Sequence, residues 1–263
     1  MLVVSLRKVG ARGFEARCQW PRLHPLNERA LTVVHHPLIM AESLRQLAAA
    51  LERRHLATAA TALEPVSVGL GLAPGAQPRE AGDATAVGVR LGVSDVLLDD
   101  GELIGYRVSA EFLHAGQRFG SCTMRLARRA ADGDPPVHAK PTGGLQHPAA
   151  AVVGAAAEPD VMLARACQGR LVLAPRDPGH PVLLPGRPSR LPALAVLEAG
   201  RQAALLSCGM TAAAVTGLRV DLRGPVPGEG AFVEVAAESL GPRFAVLAQG
   251  QPVATGTVAL LRA

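Results

Sequence analysis

The sequence predicts an α+β fold written twice along one chain, and three observations carry that expectation. First, MAESLRQLAAA (residues 40–50) and VLEAGRQAALL (residues 196–206) are apolar helical stretches with Glu, Arg and Gln at one internal spacing. These are Glu42, Arg45 and Gln46 against Glu198, Arg201 and Gln202, 156 positions apart. Second, His24-Pro25 stands 18 residues before Glu42, as His180-Pro181 stands 18 before Glu198. Third, GQRFGSCTMRL (residues 116–126) matches GQPVATGTVAL (residues 250–260), with Gly-Gln, Thr123/Thr257 and the last Leu in register. That offset is 134, so the second copy is 22 residues shorter between helix and final strand, the length of a missing loop.

Each copy has the same element order. VVSLRKV (3–9) opens the first as an extended segment, and VMLARA (161–166) with GRLVL (169–173) opens the second. A Pro-bearing loop leads into one long helix, with Pro37 or Pro192 in the first turn, where a missing N–H is tolerated. Strands close each copy: TAVGVRLGVSDVL, LIGYRVSAEF and RFGSCTMRL in the first, GLRVDLR, GAFVEVAAES, PRFAVLAQ and PVATGTVALL in the second. The alternation in FVEVAAES fits a strand with one wet face. Between the copies, ADGDPPVHAKPTGGLQHP and an Ala-rich stretch lack any period of 2 or 3.6. The expected division is an N-terminal repeat 1–145, a Pro/Gly/Ala-rich linker 146–160 and a C-terminal repeat 161–263. A strand, a long helix and a run of antiparallel strands is the order of a hotdog fold. Two copies give a double hotdog, each a long central helix wrapped by an antiparallel sheet, the sheets joined edge to edge. The pair of repeats supplies its own dimer, so monomer and homodimer both remain open.

Composition bounds the function. Hydrophobic residues make up 49% and charged residues 19%, the balance of a folded globular chain. Aromatics are 3%, with Trp20 and Tyr106 alone of their kinds, so the core is built from Leu, Val and Ala. The stacked rings of single-stranded nucleic-acid binders are missing, which argues against such a partner. The net charge of +5 is almost all arginine, since Lys8 and Lys140 are the only lysines. Such a surface favours anionic partners: a phosphorylated substrate or an acidic carrier protein. Arg53-Arg54 and Arg128-Arg129 read as a helix end and a strand end rather than a nucleic-acid patch. Cys18, Cys122, Cys167 and Cys208 stand far apart without a C-x-x-C pair, as expected of reduced thiols and not of a zinc site. No signal-peptide order and no membrane-length apolar run is present, so the expectation is a soluble cytoplasmic protein with no metal or redox cofactor.

Three stretches, QWPRLHP (19–25), HPLIMAESLRQ (36–46) and LPALAVLEAGRQAA (191–204), together with the two-copy layout, resemble the A-factor biosynthesis hotdog proteins, the gamma-butyrolactone signal synthases of actinobacteria. The resemblance implies an acyltransferase. It would move a beta-ketoacyl group from acyl carrier protein, or CoA, onto a hydroxyl of dihydroxyacetone phosphate, giving a phosphorylated ester that cyclises to a butenolide. The only prosthetic group implied is the donor's phosphopantetheine. The resemblance assigns the catalytic positions to Glu42, Arg45, Glu198 and Arg201, and it brings His36 toward the substrate. The chain departs from the family in RPSRLPA (187–193), where the family usually carries H-P-x-D-H-V-P-G-M. Arg187 and Arg190 replace both histidines, removing a base and offering contacts to an anionic acceptor or carrier protein.

The residues also support plainer readings. A carboxylate enclosed on a helix has its pKa raised by desolvation, toward a range useful for taking a hydroxyl proton. Arg one turn away could hold a phosphate, steady an oxyanion, or simply pair with the Glu. A buried ion pair duplicated with its fold needs no catalysis. Gln46 and Gln202, placed with the substrate residues, also suit backbone hydrogen bonds, and His24 and His180 suit turns. A hotdog dehydratase or thioesterase and a non-catalytic acyl or lactone binder therefore stand beside the acyltransferase. An anion pocket beside one of the arginines favours transfer to a phosphate ester over hydrolysis.

Overall fold

The computed structural model describes residues 2–22, 24–26, 34–56, 63–80, 83–128, 144–210, 213–239 and 241–261. The chain forms two compact units, residues 1–131 and 132–263.

In the first unit the strands are β1 (Val3–Lys8), β2 (Gly13–Trp20), β3 (Glu64–Leu72), β4 (Thr85–Asp99), β5 (Glu102–His114) and β6 (Gln117–Ala127), with helix α1 (Leu38–His55) after β2. They pair antiparallel in the order β3-β6-β5-β4-β2-β1. Strand alternation sets the faces: in β2 Phe14, Ala16, Cys18 and Trp20 are buried while Arg17 and Gln19 are exposed. α1 packs on β1, β2, β3, β5 and β6. It buries Leu44, Leu47, Ala48 and Leu51, each large aliphatic worth roughly 1.5–3 kcal/mol of transfer. Trp20, Phe112 and Phe119 cluster with centroids 5.6–6.3 Å apart, concentrating the scarce aromatic volume in this unit.

The second unit holds β7 (Leu163–Arg165), β8 (Leu171–Leu173), helix α2 (Ala193–Cys208), β9 (Ala214–Leu222), β10 (Phe232–Ala236), β11 (Arg243–Ala248) and β12 (Gln251–Leu261). Its order is β9-β12-β11-β10-β8-β7, the first unit's order advanced by six strands at every place. α2 packs on β7, β9, β10, β11 and β12. Its aromatic core is one ring, Phe244, held between two glycines. A Cβ on Gly200 or on Gly256 would stand 2.3 Å from that ring.

Three details differ from the sequence expectation. The 22-residue shortening lies mainly in the strands: β4 and β5 run 15 and 13 residues, β10 and β11 only 5 and 6. Residues 146–160 are not a linker in the structure. Gln146 bridges Arg165, short 3-10 turns form at Ala150–Val153 and Glu158–Asp160, and Ala150, Val153 and Val161 bury with Ala155 and Leu206. Small apolar side chains without a regular period look like a linker in sequence, yet they fill a shallow face well. Pro37 and Pro192 sit one place before the first helical residue. Residues 129–143, which include Arg129 and most of the Pro/Gly stretch, lie outside the described residues. No described helix is long and apolar enough to cross a membrane.

Candidate functional site

The i, i+3, i+4 spacing of E-x-x-R-Q brings all three side chains together on each helix. On α1, Arg45 donates from Nε to Glu42 Oε2 at 2.7 Å and from Nη2 to Oε1 at 2.7 Å. Gln46 Nε2 donates to the same Oε1 at 2.8 Å, while Gln46 Oε1 accepts the Leu2 N–H at 2.8 Å. On α2, Arg201 donates from Nε and Nη2 to Glu198 Oε2 and Oε1 at 2.9 and 2.7 Å. Gln202 donates to Glu198 Oε1 at 2.7 Å and accepts the Met162 N–H at 2.9 Å. Each knot therefore satisfies a buried carboxylate with a bidentate guanidinium and ties the helix to the backbone entering the edge strand. The hydrogen bonds to Glu42 hold the Arg45 guanidinium above its ordinary range.

Access separates the two knots. The Arg201 and Glu198 side chains are 1% and 2% exposed, while Arg45 is 43% exposed beside Glu42 at 8%. Arg45 opens on a groove of about 340 Å³ between strand residues 3–6 and the helix residues Gln46, Ala49, Ala50, Arg53 and Arg54. All its charged lining is arginine. In the second unit Arg201 Nη2 also donates to the Gly154 carbonyl at 2.7 Å, and the Ala150–Ala155 segment packs on Leu206.

The histidines take backbone roles. His24, His36 and His180 each precede a proline, and each accepts through Nδ1 the N–H two residues on, from Leu26, Leu38 and Val182, at 3.2 Å. Proline fixes the backbone of such a turn and the ring nitrogen closes it. His180 also accepts the Leu183 N–H through Nδ1 at 3.0 Å, so its proton is on Nε2, donated to Asp160 Oδ1 at 2.9 Å. Both nitrogens of this buried ring are occupied. His36 lies at the start of α1, buried and outside the groove lining. Arg187 is exposed, and Arg190 is half-buried in a bridge to Pro227.

Sequence reasoning missed a buried polar line in the first unit. Trp20 Nε1 donates to Ser43 Oγ at 2.9 Å, and His35 Nε2 meets Thr85 Oγ1 at 2.7 Å. His35 Nδ1 is buried and has no hydrogen-bond partner among the described residues. Burial, with His24 and His114 nearby, pushes this imidazole down to about 4. Burial also pushes the Cys18 thiol up to about 12, so it is not a nucleophile. The only legible signal was the period-2 run ending at Trp20. Among the described residues no group of acids, histidines and cysteines could hold a metal.

No protein-family model matches the chain, and no curated protein matches its sequence. Among solved structures it is similar to a candidate thioesterase from Novosphingobium aromaticivorans, with 12% identity, TM-score 0.55 and 98% of each chain covered. It is likewise similar to HtdX of Mycobacterium tuberculosis (14%, TM-score 0.55, 94% of this chain and 100% of that one). A third is the bifunctional dehydratase-cyclase domain of ambruticin biosynthesis (18%, TM-score 0.53, 99% and 96%). At these identities the likeness is one of architecture, and the chain has the hotdog fold, each unit an antiparallel sheet with one long helix.

Proposed function

We propose that the chain is a double hotdog that works on acyl thioesters, an acyltransferase with its working site at Glu42 and Arg45. It joins a beta-ketoacyl group from carrier protein or CoA to a small hydroxylated, phosphorylated acceptor such as dihydroxyacetone phosphate, the first step toward a butenolide. The observation that carries this is the difference in access: one E-x-x-R-Q knot opens on an arginine-lined groove and the other is sealed. The acceptor hydroxyl oxygen attacks the thioester carbonyl carbon as Glu42 takes the hydroxyl proton. The carbonyl electron pair moves onto oxygen, where an Arg45 N–H donates. Collapse breaks the C–S bond, and the departing sulfur takes the proton back from Glu42. Gln46 holds the carboxylate in place. The protein needs no cofactor beyond the donor's phosphopantetheine and acts in the cytoplasm, away from membranes and nucleic acid, as a monomer or homodimer.

Hydrolysis is the second reading, because water could replace the acceptor at the same carboxylate, and structural neighbours include proteins described as thioesterases. A His-plus-carboxylate dehydratase is disfavoured at His180, whose ring nitrogens are both engaged. A binder remains compatible with two fully bonded carboxylates. Purified protein mixed with a beta-ketoacyl carrier protein, with and without dihydroxyacetone phosphate, separates these by intact mass and small-molecule analysis. Acyl transfer gives acceptor-dependent deacylation and a phosphorylated ester, abolished in Glu42→Gln. Acceptor-independent deacylation means hydrolysis, and an inert acyl group means a binder.

A further inference from the structure

The second unit covers with its own chain the helix face that the first unit leaves open. Arg201 and Leu206 on α2 correspond, at the 156-residue offset, to Arg45 and Ala50 on α1, and both first-unit residues line the groove. On α2 that face is covered by the chain itself: the Gly154 carbonyl accepts from Arg201 Nη2, and the methyl groups of Ala150, Val153 and Ala155 pack with Leu206. In the first unit Arg45 Nη2 makes the same bond to its glutamate, and its second N–H has no counterpart of that carbonyl among the described residues. The smaller Ala50 leaves room where Leu206 fills. The groove is therefore shaped for an extended chain with a carbonyl acceptor and small branched apolar groups beside it. Its far end differs: Arg53 and Arg54, still helical on α1, stand where the chain has already left α2 at Gly209 and Met210, so an anionic group is wanted there as well. Arg45 and these arginines are eight and nine residues apart, about 12–14 Å along the helix.

We propose that the first-unit groove seats the 4′-phosphopantetheine arm of the acyl donor, with its thioester carbonyl on Arg45 and its phosphate on Arg53 and Arg54. This rests on the acyl-thioester reading above. A three-carbon phosphorylated acceptor is too short to join the two ends, whereas the pantetheine arm is an extended chain of amides and methyl groups ending in a phosphate. CoA and holo-carrier protein share this chemistry.

The test is calorimetric binding to the full chain of CoA, pantetheine, holo-carrier protein and apo-carrier protein, with no acceptor present. Two variants probe opposite ends: Arg53→Glu/Arg54→Glu reverses the exposed basic end, and Ala50→Leu copies the second unit's filling. The expected result is binding of CoA or holo-carrier, roughly tenfold weakening by the double variant and by loss of the phosphate in pantetheine, and weakening by Ala50→Leu. Weakening for holo-carrier alone assigns the arm to the carrier, and weakening for CoA assigns it to the free thioester. Wild-type affinity in both variants, shown folded by near-ultraviolet circular dichroism, overturns the proposal, as does equal binding of apo- and holo-carrier with none of CoA. Transfer activity with unaltered donor affinity in the variants would sink this assignment while leaving the acyltransferase. Arm binding without deacylation would do the reverse.

Discussion

The two glutamate knots hold the same atoms at nearly the same distances, yet one is a closed structural element and the other lines a groove. The helix spacing fixes the knot, since Glu, Arg and Gln one turn apart must meet. What the spacing does not fix is the layer above it. In the second unit the Ala150–Ala155 segment and Leu206 exclude solvent, and in the first Ala50 and the arginines leave it open. An internal repeat thus separates what the helix spacing dictates, the knot itself, from what the overlying layer decides, its access to solvent.

Neutralising the glutamates should expose this contrast most strongly. Glu198→Gln keeps the shape but leaves Arg201 charged and 1% exposed, and losing one partner of a buried pair costs about 3–5 kcal/mol. Glu42→Gln leaves an arginine that reaches water, and roughly 1 kcal/mol is expected there. Urea denaturation of the two variants measures both. Equal losses would mean that exposure does not separate the knots, and the choice of the first unit as the working half would go with it.

Much of this was legible in the sequence because repetition is legible. The helices, the E-x-x-R-Q register and the last strand of each copy follow from residue spacing alone. The enclosed setting of each helix, rather than spacing, suggests the backbone bonds that Gln46 and Gln202 make. β2 is legible from spacing as well, since GFEARCQW alternates along its whole length. β3, EPVSVGLGL, was harder, because Pro65 and two glycines weaken the pattern that tertiary pairing with β6 restores. The plug on α2 was not legible at all. Alanines and valines without a period have no signature of their own, and only the bare face of a neighbouring helix gives them a place to bury. For the same reason the sequence could not say which glutamate was sealed.

The histidines offer a second contrast, of intermediate size. His180 has both nitrogens engaged, while His35 has Nδ1 buried without a partner. An imidazole held near 4 in the folded chain and near 6.5 in the unfolded one is protonated first in the unfolded state. Its stabilising contribution is complete above about pH 6.5 and is lost as pH falls toward about 4. The loss approaches about 3 kcal/mol at the acid end. His35→Gln, which keeps a neutral hydrogen-bonding group, should flatten that part of the stability–pH curve. An unchanged slope would place the acid sensitivity elsewhere.

The smallest expected effect concerns how the two cores are filled. Strand register sets Ala110 and Cys122 of the first unit against Phe244 and Gly256 of the second, and the helices place Leu44 against Gly200. The first core takes its volume from the helix and the second from the sheet, through one ring seated between two glycines. Gly200→Ala gains roughly 1 kcal/mol of helix propensity but drives a methyl into a ring 2.3 Å away, an overpacking that costs about 1–3 kcal/mol. The net should be a loss of about 1 kcal/mol. Phe244→Leu, which lets the site accept the methyl, should turn the same substitution neutral or favourable. The double-mutant cycle then measures the coupling directly. A Gly200→Ala loss that persists in the Phe244→Leu background would show that the glycine serves the backbone rather than the ring, and that the two cores do not exchange volume between helix and sheet.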